Sequence, residues 1–165
     1  MAQGTGGSPS LVRWEQGRAV VEAMLADGRL TRVQASRDLA AQYVQMARSR
    51  LAAVSRIQDE EPAGAFALAY DAARFGLAAV LINQGLRPRG EGAHAVLLDV
   101  VLAQTEPPKQ HQFREFSWMR RLRNDTQYPD IDRPVATSDD LAQAVPAVQA
   151  IIDRAEALVA HMPPF

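Results

Sequence analysis

Apolar positions spaced three and four residues apart run through most of this chain, and no alternating stretch is long enough for a strand. The pattern predicts six helices. Ser10 starts the first, which runs to about Asp27, with Gly28 as its stop and Gly17 as a weak point inside it. A second covers about Val33–Ile57, with Tyr43, Ala47, Leu51 and Val54 on one face. Asp59-Glu60-Glu61-Pro62 breaks it and starts a third, where Phe66, Tyr70, Ala73, Leu77 and Val80 share a stripe up to Gln84. Gly85 ends that helix. Leu86–Gly92 reads as a basic loop, and a fourth helix covers about Ala93–Gln104. Pro107-Pro108 separates it from a fifth, about Lys109–Thr126, closed by Pro129. Ser138-Asp139 caps a sixth reaching His161, in which Pro146 predicts a kink or a late start.

Five to six helices with mostly short connections predict an all-α, antiparallel up-and-down bundle. Its domain is residues 10–162, behind an unstructured Gly/Ser-rich tail, 1–9. At 165 residues the chain can bury a full core without staples. It has no cysteine, so disulfide, thiolate and Cys-based zinc chemistry are excluded. Charges interrupt every apolar run before the roughly 18 residues that a membrane span needs. No basic-then-apolar leader opens the chain. These features predict a cytoplasmic protein without membrane contact.

The formal net charge is -1, so attraction to an anionic partner requires a local patch. The fifth helix supplies one. Lys109, Arg114, Arg120, Arg121 and Arg123 face only Glu115, a local net of +4, with Phe113, Phe116 and Trp118 interleaved. Such a stripe suits phosphate-bearing partners, or it is a solvated face with arginines lying over apolar neighbours. Arg123 follows Phe116 and Met119 on one face. It is therefore expected to be partly desolvated and to need a carboxylate, a carbonyl or a ligand phosphate, Asp125 being the nearest acid. Glu91-x-x-His94 has the spacing of bundle metal sites but lacks the second pair they need, so His94 reads as a capping or packed histidine and no metal or cofactor is predicted. His111 reads as a surface residue, and His161 as a cation at a helix end.

The order of Tyr70-Asp-Ala-Ala-Arg74, Gly85-Leu-Arg87, Gly92-Ala-His94 and Phe116-x-x-Met-Arg-Arg-Leu-Arg-Asn124 resembles the HEPN superfamily, and in particular its small actinobacterial-type members, over roughly residues 33–159. The resemblance implies a dimerising helical bundle and, in many members, a metal-independent ribonuclease, often a toxin with a partner antitoxin. It implies that Arg123 contacts the scissile phosphate beside Asn124, and the basic stripe adds Arg114, Arg120 and Arg121 as candidates for binding phosphate or RNA. The family's histidine would fall at position 128, where this chain has Tyr128. A phenol with a pKa of about 10 is a poor base near pH 7, although it can donate a hydrogen bond. Three readings stay open: an RNase working through Arg123, a silent RNA- or nucleotide-binding domain, and a dimeric interaction module in which Arg123 is structural.

Overall fold

A computed structural model describes residues 13–165, and these form an all-α bundle with one short β ladder. Helix α3 (Pro62–Gln84) is its axis. It starts on Pro62 and stops at Gly85, whose φ of 76° a side chain would resist. A Cβ there would also come within 2.7 Å of the Val33 carbonyl oxygen. α3 is long and apolar enough to cross a membrane by length and composition, contrary to the expectation that no stretch is. Fourteen of its 23 residues are buried, however, so its hydrophobicity is used within the bundle. Helices α2 (Arg37–Val54) and α7 (Ser138–His161) pack against it and each other. Across its other side lie α4 (Ala93–Thr105) and α6 (Phe116–Gln127).

Several boundaries differ from the periodic reading, each for a local reason. Helix α1 is Arg18–Ala26, with Gly17 ahead of it rather than inside; Gly17 has φ 72° and packs too closely on the backbone of Ala103 to carry a side chain. The predicted start at Ser10 lies outside the described residues. Helix α2 begins at Arg37, after Ser36, whose side chain accepts from the Leu39 amide, four residues later than periodicity suggested. Residues 33–36 instead connect it to a strand that was not predicted. β1 (Leu30–Arg32) pairs antiparallel with β2 (Leu86–Pro88), tying the α1–α2 connection to the loop after α3. Three residues per strand are too few for alternation to register.

The predicted fifth helix is two. α5 (His111–Arg114) ends where Glu115 starts α6, and Arg114 reaches back to Glu106 at the end of α4. Helix α7 is capped by Thr137, not Ser138: Thr137 and Asp140 exchange hydrogen bonds in a capping box. Pro146 neither delays nor ends α7. It lies exposed, so the carbonyl deprived of an amide partner sits on the solvent side.

Candidate phosphate-binding cleft

The basic stripe divides once it is folded. Phe113 and Phe116 are fully buried and Trp118 is half-buried against the core, so these rings are packing residues and not platforms for bases. Arg114 is bidentate to Glu106, at 2.7 Å and 2.5 Å. The pair holds Glu106 far below the usual carboxylate range, at about 2. Arg121 is exposed and is not among the residues lining the cavity that Arg120 and Asn124 close. Arg120 and Arg123 face inward, are half-buried, and form no ion pair among the described residues. Asp125, the acid expected for Arg123, instead lies 3.9 Å from Arg133.

Arg123 sits over the ring of Tyr70, 5.7 Å from its centroid, a cation–π distance. Tyr70 is 2% exposed on α3 and stacks on Phe116, with centroids 5.0 Å apart. Successive turns of α6 therefore place Phe116 and Met119 in the core and Arg123 where the core meets solvent. The Tyr70 hydroxyl is hydrogen-bonded to His94 Nδ1 at 2.8 Å. Burial pushes the Tyr70 phenol up to about 12, against the pull of Arg123, Arg120 and Arg74, so it keeps its proton. Burial likewise pushes His94 below its ordinary 6.5, and Arg74 and Arg123 push in the same direction. The imidazole is thus neutral near pH 7, with Nδ1 engaged by Tyr70 and Nε2 left over.

His94 lies in the first turn of α4, which starts from Gly92 at φ 77°. Facing it, Arg120 and Asn124 close a cavity of about 330 Å³ with Gly90, Gly92 and Ala93. A helix N-terminus presents unpaired amides and partial positive charge. With Arg120 across the gap, this combination accepts an anion such as phosphate. Among the described residues, no three of His, Asp and Glu gather to hold a metal.

Of the residues singled out from sequence, Arg120, Arg123 and Asn124 come together. Arg114 is tied to Glu106, Arg121 is exposed outside this cavity, and Tyr128 is 70% exposed at the end of α6, also outside it. His94 and Tyr70 were not assigned to the site. His94 is packed as expected, but it also forms the cleft wall. Both residues stood in the strings that carried the family resemblance, and that was the available signal. The family model described as HEPN domain matches residues 40–158. No curated protein matches significantly, and neither does any solved structure.

Proposed function

This chain belongs to the HEPN family, whose members are generally concerned with nucleotides or RNA, and from that premise we propose that it binds a phosphate of RNA or of a nucleotide in the cleft between the start of α4 and the inner face of α6. One observation carries the reading. Arg120, a half-buried guanidinium without a carboxylate partner, lines the cleft with Asn124 opposite a helix N-terminus, and Arg123, likewise half-buried and without an acid, lies over the ring of Tyr70, whose hydroxyl is bonded to His94 in the cleft wall. An arginine taken partly out of water needs an anion, and none is supplied by the described residues around it.

Within this reading His94 takes the part that the family resemblance gave to position 128. Its neutral imidazole is held through Nδ1 by Tyr70; in the tautomer whose Nδ1–H donates to the Tyr70 oxygen, Nε2 is the acceptor that can take the proton of a ribose 2′-hydroxyl, the step that metal-independent RNA cleavage requires. The test is anisotropy of a labelled single-stranded RNA with wild type, Arg123→Ala and Arg120→Ala, together with gel analysis of the same RNA in EDTA. Weakened binding by both folded variants supports the reading, and equal binding by all three proteins overturns it. Cleavage lost in His94→Ala would make the domain a ribonuclease. Binding without cleavage would make it a silent binding domain.

A second reading rests on α2. Leu39 and Met46, seven residues apart on one face, are 42% and 39% exposed. HEPN domains commonly dimerise, and pairing of this face with a second copy would cover both. Sedimentation of wild type and Met46→Glu distinguishes a dimer through α2 from a monomer.

A further inference from the structure

Beside the phosphate cleft lies a larger, half-enclosed cavity of about 560 Å³, within the range of small-molecule sites. The two cavities share Ala93 and His94, so they adjoin at the first turn of α4. Their linings differ in kind. The smaller is closed by Arg120, Asn124 and glycine backbone. The larger is walled by Tyr43, Leu81, Ile82 and Leu97, with Gln34 and Arg87 among its lining. The Tyr43 ring is held in place by stacking on Phe75, with centroids 4.9 Å apart. Fixed apolar walls with a few polar groups suit a flat, hydrogen-bonding ring system, and a phosphate ester is the anionic group that such a ring would bring to the neighbouring cleft.

We propose that the larger cavity receives the base of the nucleotide whose phosphate occupies the smaller one, with the ribose passing the edge of His94. The inference rests on the phosphate reading of the cleft and adds a base subsite to it. Tyr43 offers the ring face for stacking. Gln34, with both a donor and acceptors on its amide, and Arg87 reach the base edge. Arg87 forms no ion pair among the described residues, whereas Arg74 in the same lining is held by Asp71 at 2.5 Å. Arg87 is therefore the cation of this cavity left open to a ligand.

The test is calorimetric titration of the full chain with ribose 5-phosphate and with each of the four ribonucleoside 5′-monophosphates. Two variants fill the cavity from opposite walls: Ala78→Phe from α3, and Leu39→Trp from α2, where the exposed position tolerates a large side chain. At least one nucleotide is expected to bind about tenfold or more tighter than ribose 5-phosphate, the range of base stacking on an aromatic. Both variants should lower that nucleotide's affinity to the level of ribose 5-phosphate and leave ribose 5-phosphate within about twofold of wild type. Equal affinity of wild type for all five ligands overturns the base subsite and leaves the phosphate reading standing. Binding of none of them overturns both. If the two variants instead turn a dimer into a monomer without changing nucleotide affinity, the cavity wall is a subunit contact and the proposal fails.

Discussion

Arg114 and Arg123 lie nine residues apart in one basic segment, and the fold gives them opposite circumstances. Arg114 is exposed and closed into a bidentate pair with Glu106 at the end of α4. Arg123 is half-buried over the Tyr70 ring, with His94 and Arg120 nearby and no acid paired to it. The first arginine joins α4 to α5. The second keeps its charge free of an acid, over the Tyr70 ring and close to His94. A local charge of +4 is therefore a poor measure of anion affinity, because the acids that neutralise a guanidinium can come from another helix, as Glu106 does.

The sharpest way to break the contrast is to remove the floor beneath Arg123. Phe116→Ala takes a fully buried ring from under Tyr70, and truncation of such a ring costs about 3–5 kcal/mol. Urea unfolding should show that loss, while Glu106→Ala, which removes a pair with an exposed arginine and the acceptor of the Gln110 amide, should lower the midpoint by much less. A similar loss in both variants would mean that the two regions are equally structural.

Binding separates the arginines next. Loss of a charge-assisted contact of about 1.5–3 kcal/mol predicts roughly 10- to 100-fold weaker RNA binding for Arg123→Ala, against about twofold or less for Arg114→Ala. Anisotropy titrations of the two folded variants check this, and equal losses would return the whole stripe to a diffuse electrostatic role. The salt dependence sharpens the same point: each phosphate contact removed from a single strand should reduce the slope of log K against log salt by about 0.7. Arg120→Ala and Arg123→Ala should each show that change, and Arg121→Ala should not.

The smallest effect is the titration of His94. Its folded pKa lies below its unfolded value, so the unfolded chain takes up the proton first as pH falls. The contribution to stability is fully present above about 6.5 and is lost progressively below it. Tyr70 acts at the other end. Its phenol ionises near 10 when unfolded and near 12 when folded, so stability falls as pH rises above 10. NMR titration of the His94 ring should give a midpoint below 6.5, and Tyr70→Phe should change it by removing the bond to Nδ1. A midpoint above 6.5 would contradict the burial that makes this imidazole neutral.

Much of the fold was legible in the sequence. Helices α3 and α7 declare themselves through long apolar stripes and strong stops, and the Phe116–Met119–Arg123 face predicted a half-buried arginine. What was not legible depends on partners distant in sequence. The β1–β2 ladder joins residues more than fifty positions apart in segments too short to show a period. The Glu106–Arg114 pair hides in a Pro-rich connection. His94 carries no local motif of its own; it becomes a site residue because Tyr70, from α3, meets its Nδ1 and because α6 brings Arg120 and Asn124 opposite the start of α4. Tyr128, chosen from the spacing of a family motif, stands 70% exposed at the end of α6 and is not among the residues lining the α4–α6 cavity.

The most direct measurement is amide chemical-shift mapping on the 15N-labelled chain as a single-stranded RNA oligonucleotide is added. Shifts concentrated at residues 90–94 and 120–124, with little change around Arg114 and Tyr128, are the predicted result. Shifts centred on α5 and the exposed end of α6, or none at all at near-millimolar RNA, would contradict the assignment of the α4–α6 cleft as the phosphate site.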